Sequence, residues 1–544
     1  MSAPGLSTYN FADIWEAVAD VAADRQALVV GDRRLTYGEL ERRANRLAHV
    51  LLSLGVGPGD TVACHLGNSS EYLETLIAAW KIRAVPVNVN YRYTAEELAY
   101  LYTDSAAVVG VVDAHLLERV VAIADDLPDL RSVLVVGNST EVLLPEGAVE
   151  VRWFDDATRV APDHRPEIAG RGDEDRYIIY TGGTTGRPKG VEWRMGDAFF
   201  GCLGGGDPMR LSGPVTSPAE MLDRIVDFDF TFYALAPLIH AAAQWVSFMW
   251  LFAGARVVLH RGPFDPATVW RTIAEEQVST TTVVGDAMAR PLCDEWERTG
   301  PYDTSSLFAF SNGGAPLSSS VRERLQVILP GVVFTDGFGS SETGIQGSSR
   351  LEPGTRGAGT AQFDQVVSGT AVLDDDLRPI EPGDDRIGRV AHSGHLPLGY
   401  RNDPAKTAET FVEVDGRRYA LNGDMARVAE DGSIVLLGRG SISINSGGEK
   451  VFPEEVEGVL KSHAAVYDCV VVGVPHERWG EQVTVVVQPV SGERVDLEEL
   501  TEHAREHLAG YKLPKALVVV EVIERSPTGK ADYRWARQVV ASAG

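Results

Sequence analysis

The densest run of chemistry-bearing residues is Tyr177-Ile-Ile-Tyr-Thr-Gly-Gly-Thr-Thr-Gly-Arg-Pro-Lys-Gly-Val191. The apolar stretch 177–180 predicts a strand. Thr181, Gly182, Gly183, Thr184, Thr185 and Gly186 follow it, so backbone N–H groups and hydroxyls can wrap an anion while Lys189 adds a point charge. That combination is a phosphate cradle. It departs from the Walker pattern, because Pro188 precedes the lysine and Gly190 follows where Ser or Thr is required. Other chemistries fit less well. There is no His-Glu-x-x-His for zinc, no Gly-x-Gly-x-x-Gly with an acidic residue at dinucleotide spacing, and Gly339-Ser-Ser-Glu-Thr343 misses the nucleophile elbow at its last position.

The elements around that loop must position it. Over the first 150 residues helical periodicity (37–54, 70–80, 95–104) alternates with short apolar runs (27–30, 62–65, 85–89, 108–112, 133–136), which predicts an α/β fold with mostly parallel strands. A second α/β region spans 235–333, and shortened alternation with multiplied turns over 369–437 predicts a small β-rich subdomain. The Gly/Pro/Ser-rich stretch 201–227 has little pattern and either closes over a substrate or packs on another subunit. The turn Gly438-Arg-Gly-Ser441 divides a large domain (1–437) from a small one (438–544), for which a helix over 453–460, strands over 468–474, 482–487 and 516–522, and a helix over 497–508 are expected.

Composition narrows the partners. Fifty Lys plus Arg against 77 Asp plus Glu leave a net charge of −27 over 544 residues, a field that repels nucleic acid, so any phosphate is held locally. The four cysteines form no CxxC pair and read as buried thiols in a reducing compartment. Acidic residues and no basic ones among the first twenty argue against a secretory signal, so a cytoplasmic protein is expected. The uncharged stretch after Phe230 is broken by Pro237, His240 and Gln244, which favours a buried helix over 241–252 to a membrane span.

The threonine loop resembles the signature of the adenylate-forming superfamily, which includes acyl-CoA synthetases, luciferases and the adenylation domains of peptide synthetases. Further motifs follow in that family's order across nearly the whole chain. Asp336-Gly337-Phe338-Gly339-Ser-Ser341-Glu342 resembles its aromatic-Gly-x-Thr-Glu element, implying an adenine face at Phe338 and a Mg²⁺-ligating carboxylate at Glu342. Gly313-Gly314-Ala315-Pro316 resembles the adenine-side strand end. Asn422-Gly-Asp424 resembles the Thr-Gly-Asp element, with Asp424 on the ribose hydroxyls and Arg439 supporting ribose and phosphates. The stretch 438–457 resembles the hinge and its hairpin, with Ser441 where Asp or Lys is usual, and Ser446, Gly447, Gly448 and Glu449 beside a pantetheine tunnel. Ser526-Pro-Thr-Gly-Lys530 resembles the catalytic-lysine element. The resemblance implies the adenylate-forming fold, a large α/β domain with a small mobile α+β lid, using ATP and Mg²⁺, with CoA as co-substrate. Catalytic roles are implied for Lys530, Thr184, Glu342 and His240.

The region 236–245 carries no carboxylate to hold an amino acid's ammonium, so a hydrophobic acid is expected. His240 resembles the gate position of acyl-CoA synthetases, and a buried structural histidine is the alternative. His240, Trp245, Gly285, Asp286 and Gly313 are assigned to the acyl pocket, although the aromatic residues of 241–252 serve equally as core. The sequence is similar to actinobacterial fatty-acyl and steroid side-chain CoA ligases, which implies a long-chain or steroid-type acid. Only 14 residues follow Lys530, so the acceptor is expected to be diffusible. Three readings stay open: an acyl-CoA ligase, an acyl-AMP ligase loading a separate carrier protein, and a non-catalytic lipid-binding relative. Peripheral membrane contact and a homodimer also stay open.

Overall fold

A computed structural model describes residues 6–137, 149–182, 187–354, 362–446, 448–526 and 529–543. It is an α/β protein, as the alternation predicts. One sheet is wholly parallel, in the order Val85–Asn88, Thr61–His65, Ala107–Asp113, Ser132–Val136 and Glu150–Trp153. A second, nine-stranded sheet has a parallel centre and antiparallel edges. Both faces of such sheets need cover, which is why the strands read as continuous apolar runs. Helices Phe11–Val21, Tyr37–Ser53, Ser70–Lys81 and Ala241–Phe252 share one core with strands from both sheets, around the fully covered Trp15, Trp80, Phe252 and Leu251.

The helix starts are written locally. Asn10, Thr36, Ser69 and Thr94 each accept from an N–H of the first turn they precede. Thr36 and Thr94 add reciprocal glutamate contacts from Glu39 and Glu97. Helix Phe11–Val21, not anticipated from the sequence, buries Phe11, Ile14, Trp15 and Val18 at helical spacing. After helix Met195–Gly201, the stretch up to 227 forms 3₁₀ segments at Gly204–Gly206 and Pro218–Arg224.

The β-rich subdomain is an antiparallel sheet that includes Gly388–Ser393, Arg417–Val428 and Ile434–Arg439. The last of these strands runs through the expected boundary at 437/438, and the next sheet begins at Ile444. Gly438 needs its freedom: φ is +122°, and the Glu454 carboxylate stands where a Cβ would point. The small C-terminal sheet is built from Val466–His476 against Gly480–Pro489, with Ala516–Val519 parallel on the outside. No helix among the described residues is long and apolar enough to cross a membrane.

Candidate functional site

Four adjacent strands of the nine-stranded sheet, Thr231–Ala234, Thr280–Val283, Ala309–Gly313 and Val333–Ser340, run parallel in register. Their carboxyl ends lead respectively to His240, Gly285, Gly314 and Glu342. Ligands of open α/β sheets collect at such ends, so residues scattered over a hundred positions reach one rim.

The rim is braced from the other sheet. Asn88, at the end of its strand, accepts from the Tyr180 N–H (2.7 Å) and donates to the carbonyls of Tyr180 (2.8 Å) and Ile239 (2.7 Å). One buried amide thus fixes the strand feeding the threonine loop and the residue before His240. Asn68 bonds the N–H of Leu238, and Gln244 donates to the Leu238 carbonyl. His240 sits at the N-cap of helix Ala241–Phe252. Burial, together with the nearby cations of Lys530 and Arg92, lowers its pKa to about 4, so the ring is neutral at pH 7.

Strand Arg176–Thr181 pairs antiparallel with Lys189–Arg194, which places Thr181 opposite Lys189 and leaves Gly182 exposed at the turn. Gly183, Thr184, Thr185 and Gly186 lie outside the described residues. The Lys189 ammonium pairs with Asp403 (3.1 Å) and lies over the Tyr400 ring (5.2 Å). The Tyr400 hydroxyl in turn donates to Glu342 (2.9 Å).

Phe338 is only 9% exposed and packs on Phe363, with ring centroids 4.5 Å apart, while Gly337 and Gly339 on either side are exposed. The glycines therefore present bare backbone beside a mostly covered ring. Asp336 is occupied from behind by Arg322 and by the Asn312 amide (2.9 Å). Ser341 holds the turn through its carbonyl, which accepts from the Trp193 indole. Gly314, with φ +79°, and Pro316 are exposed, and Ala315 is half-buried between them.

Lys530 reaches this rim from the C-terminal region. It is open to solvent although protein atoms crowd round it, as expected of a side chain standing in a cleft. Burial and the Arg439 guanidinium hold its pKa below the usual lysine value, and the carboxylates of Asp424 and Glu342 offset this only partly. Asp424 lies opposite Arg439 across two strands (3.6 Å) and is held by Asn422 on both sides; burial raises its pKa. Two carboxylates, two cations and a neutral imidazole thus face each other, and among the described residues these charges make one ion pair with each other, the long Asp424–Arg439 contact.

Two of the residues expected at the acyl pocket, Trp245 and Asp286, are buried. Trp245 and Phe248 are core: Trp245 is 7% exposed, and its indole donates to the Tyr177 hydroxyl (3.0 Å). The accessible face of that helix is Ala242, Val246 and Met249. Asp286 is 5% exposed and committed to the Ser318 N–H (2.8 Å). Gly285 and Gly313 remain at the rim, where the Gly285 N–H donates to the Asn312 side chain.

Ser446, Gly448 and Glu449 lie on a separate hairpin of the C-terminal sheet, with Ser446 opposite Gly480. Among the described residues no hydrogen bond or ion pair ties them to Thr181, Glu342 or Lys530. Gly447 lies outside the described residues.

Arg210 escaped the sequence reading. Its residue stands in the left-handed region (φ +54°), its guanidinium donates to Ser348 (2.9 Å), and burial lowers its pKa against the pull of Asp207. Its segment bridges two walls of the rim: Gly204 approaches Met249 of the His240 helix, while Ser348 lies opposite Gly337. No sequence signal marks it, since its partner is 138 residues away.

The chain matches the family model "AMP-binding enzyme" over residues 15–398 and "AMP-binding enzyme C-terminal domain" over 455–530. This protein belongs to the AMP-binding, adenylate-forming enzyme family. It is 45% identical over 97% of its length, and 95% of the relative's, to a 3-oxocholest-4-en-26-oate–CoA ligase from Rhodococcus rhodochrous. It is 42% identical, over 97% of the chain and 96% of the relative, to a medium/long-chain-fatty-acid–CoA/3-oxocholest-4-en-26-oate–CoA ligase from Mycobacterium tuberculosis. Among solved structures, ATP-bound MatB from Rhodopseudomonas palustris superimposes with a TM-score of 0.81 at 25% identity, covering 98% of this chain and 99% of that one. The anthranilate CoA ligase AuaEII shares the fold at a TM-score of 0.83 and 24% identity, covering 100% and 99%.

Proposed function

We propose that this enzyme is an ATP-dependent acyl-CoA ligase acting on a hydrophobic long-chain or steroid-type carboxylic acid in the cytoplasm. The observation that carries the reading is the convergence of Lys530 with Glu342, Asp424, Arg439 and His240 on one rim. An acid carboxylate attacks the α-phosphorus of ATP, giving acyl-AMP and pyrophosphate. Lys530, a compact ammonium with little ion pairing, bridges the attacking carboxylate and the phosphate as charge develops. Asp424 accepts from the ribose hydroxyls. Neutral His240 stands at the acid's entrance without adding a charge.

Glu342 fits a Mg²⁺ ligand: a half-buried carboxylate, oriented by one hydroxyl, beside the proposed phosphates. Mg²⁺ commonly takes one or two carboxylates and completes its shell with water and substrate phosphate. When bound, it neutralises phosphate charge. The described residues contain no group of three or more ligands that would make an all-protein metal cage.

The acid's chain would run along Ala242, Val246 and Met249, with Gly204 and Arg210 opposite. For the second step the unit after the turn at 440–443 rotates, withdrawing Lys530 and bringing the Ser446–Glu449 hairpin to the rim, so the thiol of CoA displaces AMP. That the hairpin stands apart while Lys530 is docked supports an exchange between two arrangements.

The test is AMP release against a panel of acids, from short aliphatic through long-chain to steroid carboxylates, with and without CoA. AMP release that needs acid, ATP and CoA together is expected. A stop at acyl-AMP with CoA present would instead indicate a carrier-protein loader, and acid binding without ATP consumption would indicate a non-catalytic relative.

A further inference from the structure

Helix Gly285–Thr299 touches the C-terminal region at its first turn, and the contact leads by named bonds to the catalytic lysine. Asp286 Oδ1 accepts from the Ser318 N–H, which fixes the loop that follows Gly314–Pro316. Its other oxygen, Oδ2, has no hydrogen bond and faces Lys461 (3.5 Å) and Arg290 (3.6 Å). Lys461, 8% exposed, reaches across from the far side and also pairs with Asp468 (3.2 Å). Asp468 receives both prongs of Arg525, at 2.6 to 2.9 Å. Arg525 Nη1 then donates to the carbonyl of Gly529 (3.3 Å), the residue before Lys530.

The lysine loop also rests directly on the same helix turn. A Cβ at Gly529 would stand 3.3 Å from that of Ala287. Gly285 makes the turn possible: its φ is +57°, and a Cβ there would meet the Pro316 carbonyl at 2.5 Å. Around this line, the Tyr467 hydroxyl donates to Asp294 (2.9 Å), Arg290 lies over the Tyr467 ring (5.0 Å), and Ser320 donates to the Lys461 carbonyl (2.9 Å). An open cleft of about 900 Å³, lined by Arg290, Asp294, Lys461 and Tyr467, borders the contact. Its lining includes none of Thr181, Glu342 and Lys530.

We infer that Asp286 is a positioning residue for adenylation: through Lys461, Asp468 and Arg525 it docks the Lys530 loop at the nucleotide rim, and its release accompanies thioester formation. This rests on the acyl-CoA ligase reading. A buried ion pair contributes little net stability, because desolvation offsets the attraction, but it specifies one arrangement, and removing one member strands the other charge. That suits a contact that must form and break. It also explains why Asp286 carries a charge where its bond to Ser318 needs only an oxygen.

Asp286→Asn keeps that oxygen and removes the charge. Acid-dependent exchange of labelled pyrophosphate into ATP should fall about tenfold, within the usual range of coupling between sites. Thioester formation from supplied acyl-AMP and CoA should be unchanged or faster. Lys461→Met should behave alike, Tyr467→Phe should shift the same ratio by a fewfold, and Asp286→Glu should restore part of the exchange. Trypsin cleavage after Arg439 should quicken in Asp286→Asn with no substrate present. A fall of both half-reactions together, or exchange equal to wild type, overturns the inference. If the wild-type enzyme exchanges pyrophosphate with no acid, the ligase reading fails instead, and unchanged digestion would then overturn the docking role separately.

Discussion

Lys461 and Lys530 are both crowded by protein, yet their proton affinities move in opposite directions. Burial penalises either cation. At Lys461 the carboxylates of Asp468 and Asp286 outweigh that penalty and raise the pKa. At Lys530 the Arg439 guanidinium adds to the penalty, and Asp424 and Glu342 compensate incompletely. Lys461 makes two ion pairs, and Lys530 makes none that the structure records among the described residues. The back of the interdomain contact is therefore already neutralised, while the front keeps cations without full partners. A paired cation fixes geometry, and an incompletely paired one retains the field that a bound anion would satisfy.

The sharpest way to break this contrast is Lys530→Ala. Pyrophosphate exchange should drop at least about a hundredfold, the scale of a lost transition-state charge contact. Thioester formation from supplied acyl-AMP should survive, since Lys530 has then withdrawn. Equal loss in both half-reactions would place Lys530 among general supports, no different in kind from Lys461. The Asp286→Asn effect should be smaller, because the variant loosens the lysine loop without removing the charge.

A fewfold effect is expected from Arg210→Met. Arg210 is a further cation crowded by protein atoms yet open to solvent, without a salt bridge among the described residues, and its one hydrogen bond, to Ser348, leaves most of its donors available. If it reads an oxygen on the acid remote from the carboxylate, the variant should lower kcat/KM for a keto- or hydroxy-bearing acid while sparing an unsubstituted acid of similar length. Panel measurements on both acids check this. Parallel changes for the two would assign Arg210 to holding the 204–213 turn.

How far the sequence reached follows from where each signal lies. Strands such as Thr61–His65 and helix Pro453–Leu460 were readable because a continuous apolar run, or a proline at the first helical turn, is local information. Helix Phe11–Val21 was readable in principle from Asn10 and the spacing of Phe11, Ile14, Trp15 and Val18, whereas Tyr533–Ala543 buries only Ala536 fully and offers a weaker core signal. The phosphate-loop reading of Lys189 could not include Asp403, which is 214 residues away. Asn88 bonds Ile239 across 151 residues, and nothing about an isolated Asn at a strand end announces that. The resemblance supplied Asp424 and Lys530 by motif. The pairing that separates Lys530 from Lys461 exists only once both regions are folded against each other.

The smallest effect expected, a pH dependence, sharpens the two-lysine contrast most directly. A lysine whose pKa is lowered is charged below that value and loses its charge as pH rises through it, so Lys530 should neutralise below the ordinary lysine range near 10.5. Lys461, raised above that range, should stay charged throughout. Pyrophosphate exchange measured from pH 7 to 10 should therefore decline on an alkaline limb that thioester formation from acyl-AMP does not share, with little change near pH 7. Lys530→Arg, if it retains exchange, should lose that limb, because a guanidinium stays charged across the window. Thermal unfolding followed over the same pH range separates this from damage to the contact: the Lys461 pairs should persist, so the midpoint should not track the exchange limb. A limb common to both half-reactions, or one that survives Lys530→Arg, would show that a group other than this ammonium titrates in the adenylation step.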